Sequence, residues 1–168
     1  MGLMAQVNFK GNPVSTVGEF PAVGAELPDF TIVGTDLQEK SKADFAGKKL
    51  VITFFPSIDT SVCAASVRAF NEKAAAADNT VVLAISEDLP FAHSRFCAAE
   101  GIENVVTGSA FRTTVGKDFG LTMEDGPLQG LLARAVLVTD ADHKVVHSEL
   151  VSEVTTEPDY DAAIAALA

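Results

Sequence analysis

The 168-residue chain is short of cysteine, of positive charge and of long apolar runs, and each shortage closes a class of function. It has two cysteines, Cys63 and Cys97, too few for a four-ligand zinc site, and His93, His143 and His147 do not stand at zinc-ligand spacing around them. Lys and Arg total 12 against 23 Asp and Glu, a formal charge of −11. No basic run exists to neutralise phosphates, which argues against nucleic acid, and an acidic chain suits an anionic membrane poorly. No stretch approaches the ~18 apolar residues of a membrane span. Cys-x-x-Cys, a Gly-rich phosphate loop and a Ser-His-Asp signature are all missing. The N-terminus lacks the basic and apolar regions of a secretory signal, and Gln6 occupies the position where a myristoylation site needs Ser or Thr. Met4 is a candidate natural start, with residues 1–3 an added leader. Two cysteines without a signal point to a reducing, cytoplasmic setting, where a disulfide is usually transient and catalytic.

What remains is enough for a core: 48% of residues are apolar and 21% charged. Residues 1–168 are treated as one domain. Gly11-Asn-Pro13, Gly18, Pro21 and Gly24 punctuate short apolar stretches over residues 6–25 and predict a β-hairpin with an irregular approach. Short strands are expected over 30–33 and 104–107. Lys49-Leu-Val-Ile-Thr-Phe-Phe55 and Thr80–Ser86 read as strands buried on both faces. Helices are expected over 60–77, 90–100 (Pro at its first turn, Gly101 as its stop), 111–119 and 159–167. A strand pair over 134–139 and 144–150 flanks Asp140–His143. The order gives an α/β architecture of thioredoxin-like type: a mixed central sheet flanked by helices, plus the N-terminal β-hairpin.

The chemistry concentrates where the first buried strand ends. In Pro56-Ser-Ile-Asp-Thr60-Ser-Val-Cys63, a strand stops, the chain turns and a helix begins. Unpaired N–H groups and the dipole at a helix start both stabilise a thiolate. An ordinary cysteine is only ~3% ionised at pH 7, so such a setting multiplies the reactive form. Thr60, one turn back, can donate to the sulfur or bond an incoming substrate. Cys63 also lies on a stripe with Val67, Phe70 and Ala74, so a plain buried cysteine is an equal reading. Cys97 shares a helix face with His93 and Glu100, which reads as wet, while Ala92, Phe96 and Ala99 form the apolar stripe. A cysteine on a polar face suggests chemistry, and a tolerated surface thiol is the alternative. Arg134 beside an apolar strand needs a partner or a route to solvent. It either makes a surface salt bridge or stabilises a thiolate and polarises a peroxide oxygen. Arg68 and Arg95 have solvated alternatives. Phe54, Phe55, Phe91, Phe96 and Phe111 are expected to supply apolar surface near the site.

Pro56-x-x-x-Thr60-x-x-Cys63 resembles the peroxiredoxin active-site motif. The fuller string Ser57–Cys63, the N-terminal Val7-Asn-Phe-Lys-Gly-Asn-Pro-Val14 with Gly18, Phe96-Cys97 and Gly130-Leu-Leu-Ala-Arg-Ala135 are similar to bacterial thiol peroxidases, the atypical two-cysteine peroxiredoxins. The resemblance covers nearly the whole chain. It implies that Cys63 is the peroxidatic cysteine, Thr60 and Arg134 activate it and bind peroxide, and Pro56 shields the pocket. Cys97 is implied to resolve Cys63 within the same chain. It further implies a homodimer, reduction by thioredoxin, no metal or organic cofactor, and a lean toward alkyl and lipid hydroperoxides. A redox-sensing binding protein that does not turn over is the alternative. Forming the disulfide is expected to require one helix end or both to unwind, because a pocketed thiol and one on a wet face do not lie within the ~4.4–6.8 Å that Cα atoms need.

Overall fold

The computed structural model describes residues 5–73 and 77–167. Its first elements, β1 (Gln6–Phe9) and β2 (Asn12–Ser15), form the expected hairpin. Lys10 and Gly11 between them both take positive φ (50° and 82°), the backbone that a two-residue turn matched to strand twist requires.

Seven further strands make one mixed sheet. They are β3 (Thr31–Val33), β4 (Glu39–Ser41), β5 (Lys49–Phe54), β6 (Thr80–Ser86), β7 (Val105–Ser109), β8 (Ala135–Thr139) and β9 (Val145–Leu150), in the spatial order β4-β3-β7-β6-β5-β8-β9. β5, β6 and β7 run parallel, and the outer pairings are antiparallel. The parallel strands need crossovers, which α1 (Ser61–Lys73) and α2 (Pro90–Glu100) supply. A 3₁₀ turn (Lys42–Phe45), α3 (Val115–Asp118) and α4 (Tyr160–Ala165) complete the list.

The fold class is the one expected. β4 and the 3₁₀ turn were not anticipated, because Glu-Lys-Ser carries no apolar alternation and lies at a sheet edge. The helix expected over 111–119 shortens to four residues. Part of the helix expected to reach residue 77 falls on 74–76, and the proposed leader on 1–3, both outside the described residues.

Alternation along β5 divides the core. Leu50, Ile52 and Phe54 face one layer with Ile32, Leu83, Ile85, Phe119 and the hairpin's Val7 and Val14. Val51 and Phe55 face the other with Cys63, Val67 and Phe70 of α1, Phe96 of α2 and Ala163 of α4. The helices carrying both cysteines therefore cover the same face of the sheet.

Candidate active site

The site is assembled by strand register. β5 pairs in parallel with β6 and antiparallel with β8, with Phe54 opposite Ala135. Residues 55–60 leave the end of β5 at the point where Arg134 enters β8. Arg134 is thus carried to the start of α1 by backbone pairing, and an antiparallel neighbour brings it there although 71 residues separate it from Cys63.

Cys63 is the third residue of α1 and is fully buried. Arg134, 2% exposed, places Nη2 at 3.1 Å from Cys63 Sγ. Its Nε donates to the Val154 carbonyl at 2.8 Å, which fixes the plane of the guanidinium. Nη1 is buried without a protein partner among the described residues. Of the two roles open to Arg134, the surface salt bridge is excluded by this burial. A cation with one arm on sulfur, one anchored and one unsatisfied favours an anionic sulfur and has a donor left for a second acceptor.

A cleft of about 330 Å³ is lined by Arg134 and by Ser61 and Val62, the two residues before Cys63. Pro56 and Thr60 line it as well, and Phe9, Leu128, Leu131 and Val154 make its lining largely apolar. The phenylalanines expected here lie elsewhere. Phe54 and Phe55 are sealed in the core, Phe96 packs under α2, and Phe91 and Phe111 point to solvent. The strand pattern explains the first two, since a strand buried on both faces leaves no side chain for a surface cleft. Phe9, Leu128 and Val154 were missed. Phe9 and Leu131 stand inside strings that carried the family resemblance, the one signal that could have found them.

The Thr60 hydroxyl donates to the Ser57 carbonyl at 2.9 Å rather than to the sulfur, which corrects one of its two expected uses. Its Thr60 carbonyl accepts from Ala64 N at 3.0 Å, so Thr60 serves the start of α1. With its proton committed, the hydroxyl oxygen presents lone pairs toward the cleft.

Cys97 departs from the expected wet face. His93 is fully buried, with Nε2 2.8 Å from Ser86 Oγ, while Ala99 is exposed. The inward face of α2 is therefore His93, Phe96 and Cys97, because Ser86 gives the imidazole a partner inside the protein. Burial lowers the His93 pKa, against the pull of Asp88. Cys97 is half-buried against the same apolar layer as Cys63. Burial pushes its thiol pKa up, and the Thr107 hydroxyl offsets part of that. It opens on its own cleft of about 290 Å³ with Lys40, Ser94 and Thr107, which shares no residue with the cleft that Arg134 lines. Both thiols are free. The carbonyl of Cys97 accepts from the N–H groups of Gly101 and Ile102, so the C-terminal cap of α2 is built on this residue.

Arg68 and Arg95 make exposed ion pairs with Glu100 and Asp59, both at 2.7 Å. His143 is structural, with Nε2 2.9 Å from the Phe45 carbonyl. Among the described residues, no three His, Cys, Asp or Glu side chains are grouped to hold a metal, and no helix is long and apolar enough to cross a membrane.

The whole chain is similar to known proteins. The family model described as Redoxin matches residues 22–164. A thiol peroxidase of Corynebacterium glutamicum is 58% identical over 98% of this chain and 99% of its own length. A thiol peroxidase of Mycobacterium tuberculosis is 55% identical over the same shares. Among solved structures, a peroxiredoxin-like protein from Aquifex aeolicus superposes with a TM-score of 0.91 at 42% identity, covering 98% of this chain and 96% of that one. A buried cysteine at a helix start, an arginine on its sulfur and full-length relatives of one kind lead to the same place: the chain belongs to the redoxin family, as a thiol peroxidase of its peroxiredoxin branch.

Proposed function

We propose that the enzyme reduces hydroperoxides through a Cys63 sulfenic acid, which Cys97 of the same chain resolves as a disulfide and thioredoxin recycles. The observation that carries this reading is the buried Arg134–Cys63 contact, with Arg134 also lining an apolar cleft. Arg134 presents Nη2 to the attacking sulfur, and its free Nη1 binds a peroxide oxygen. Thr60 accepts a hydrogen bond from the hydroperoxide O–H on its hydroxyl oxygen, and Pro56 keeps water from the sulfur.

The thiolate attacks the terminal oxygen of ROOH. An S–O bond forms and the O–O bond breaks, sulfur loses two electrons, the attacked oxygen keeps its hydrogen as S–OH, and the leaving alkoxide takes a proton from solvent to become the alcohol. Cys63 is wholly buried, so only the slender O–OH end reaches it while R stays in the cleft. The apolar wall of Phe9, Leu128, Leu131 and Val154 supports a preference for alkyl and lipid hydroperoxides. Cys97 then attacks the sulfenic sulfur, the S–S bond forms and water leaves. The separate clefts and the cap resting on Cys97 support the unwinding of a helix end at this step. A thioredoxin dithiol returns both cysteines to thiols. We assign this cycle to a cytoplasmic homodimer that uses no cofactor.

The test is a peroxide-dependent assay coupled to thioredoxin. Cys63→Ser abolishes consumption. Cys97→Ser permits one oxidation per chain and stops recycling. A Cys97→Ser protein that still turns over with thioredoxin at the normal rate would overturn the resolving role. A higher rate with hydrogen peroxide than with cumene hydroperoxide would reverse the substrate preference.

A further inference from the structure

A largely buried polar cluster, which the reaction as described does not use, links the loop before Cys63 to α2. Asp88 follows β6, and its side chain is only 12% exposed. One carboxylate oxygen accepts from Ser57 Oγ at 2.8 Å. The other accepts from the Ile58 N–H at 2.7 Å and from Ser86 Oγ at 2.6 Å. Its backbone carbonyl accepts from Ser109 Oγ at the end of β7.

Proton accounting extends the chain. The Ser86 hydroxyl spends its one proton on Asp88, so at His93 it acts as acceptor and Nε2 is the donor. His93 thus donates from Nε2, and burial disfavours its charged form. Its Nδ1 is buried without a partner among the described residues. His93 stands one helical turn before Cys97. A continuous set of hydrogen bonds therefore runs from the loop that precedes Cys63, through Asp88 and Ser86, to the helix that carries Cys97.

We propose that Asp88 is a positioning residue for the peroxidase reaction: it holds the 57–60 loop in the shape that attack by Cys63 requires and ties that loop to α2. Three hydrogen bonds converge on the two oxygens of this one side chain. Two of them fix Ser57 and Ile58, the residues that set where Thr60 and the first turn of α1 begin. The same tie opposes the second step. Bringing two sulfurs together from separate clefts requires the α1 start and α2 to part from their folded positions, and Asp88 joins those two segments. The carboxylate thus favours oxidation of Cys63 and slows closure to Cys97.

The inference rests on the peroxidase reading, and separate measurements test the two. Oxidation is followed by rapid mixing with cumene hydroperoxide in a Cys97→Ser background, and closure in protein that retains Cys97. Asp88→Ala is expected to slow oxidation about tenfold or more, as small misplacements of reacting groups do, and to speed closure severalfold. Asp88→Asn retains a carbonyl oxygen for the Ile58 N–H and is expected to restore part of the oxidation rate. Val138→Ala, a cavity in β8 on the sheet's helix-covered face, serves as a control for general loss of stability. Should Asp88→Ala fail to fold, Asp88→Asn and Ser57→Ala carry the test, each with oxidation slowed and closure accelerated about threefold or more. Oxidation unchanged relative to the control, or both steps moving in the same direction, overturns the role of Asp88. Wild-type protein that fails to consume peroxide sinks the reading of the site itself, a different result.

Discussion

Arg134 Nη2 meets Cys63 Sγ at 3.1 Å, with both side chains buried and the guanidinium held from behind by the Val154 carbonyl. The contact follows from pairing Phe54 with Ala135, so the backbone sets it. Arg134→Ala is expected to cut the second-order rate with hydroperoxide by about 10²–10³-fold, the usual cost of removing a donor aimed at developing charge. Arg134→Lys recovers only part of this, because one ammonium cannot serve Val154 and Cys63 in the arginine's planar geometry. Stopped-flow oxidation of single-cysteine variants measures both. Equal rates for Arg134→Lys and wild type would show that charge alone suffices.

Cys97 must lose its proton to attack Cys63, and burial pushes its thiol pKa above the ordinary value. At pH 7–8 it is therefore mostly neutral in the folded protein. Disulfide closure is expected to accelerate as pH rises through and beyond pH 9. Thr107→Val removes the hydroxyl that lowers the pKa, so closure at a fixed pH slows and its profile moves to higher pH. Quenched-flow alkylation with intact mass follows the step. A closure rate flat from pH 7 to 10 would mean that helix opening, not ionisation, limits it.

The contrast between Cys63 and Cys97 shows what was legible in the sequence. The helix start at Cys63 was readable because a buried strand, a proline and an Ala-rich segment meet there within a few residues. The strand order that delivers Arg134 was not readable, since antiparallel pairing across 71 residues leaves no local trace. Cys97 was placed on a wet face because histidine and glutamate are polar types. His93 is nonetheless buried, and its partner Ser86 lies on another element, so helical periodicity could not reveal it. The cleft wall was hidden for the same reason: Phe9, Leu128 and Val154 come from three separate segments. β4 escaped because an edge strand of charged residues looks like a loop.

Glu87, next to Asp88 and partly buried, has its carboxyl pushed up to about 7, chiefly by desolvation and then by its neighbour's charge. A raised carboxyl pKa means that the folded state resists ionisation. Its contribution is intact below about pH 4.5 and fades as pH rises through about 7. Relative to Glu87→Gln, the wild type should lose stability across that window, by ~1 kcal/mol once the half-exposed setting is allowed for. Denaturant midpoints of the two proteins at pH 4.5, 6 and 8 test this. A constant difference between them at all three values counts against it.

Glu153 works beside the cleft, bonded to the backbone of its lining residues Lys10 and Thr155. On the surface, its carboxylate accepts from the N–H groups of Lys10 and Gly11 at the hairpin tip, and from the N–H and hydroxyl of Thr155. Asn8 pairs with the same segment through Ser152 O and Val154 N. These bonds hold its carboxyl down at about 2, so the clamp is intact above about pH 4.5 and is lost as pH falls toward 2. The hairpin brings Phe9 to the cleft, and the 152–155 segment brings Val154. Glu153→Ala should therefore loosen the wall that receives R while leaving the Arg134–Cys63 contact in place. We expect KM for cumene hydroperoxide to rise severalfold and the rate with hydrogen peroxide, which has no R group, to change little. If both peroxides are affected equally, Glu153 acts through Val154 and Arg134 rather than through the apolar wall.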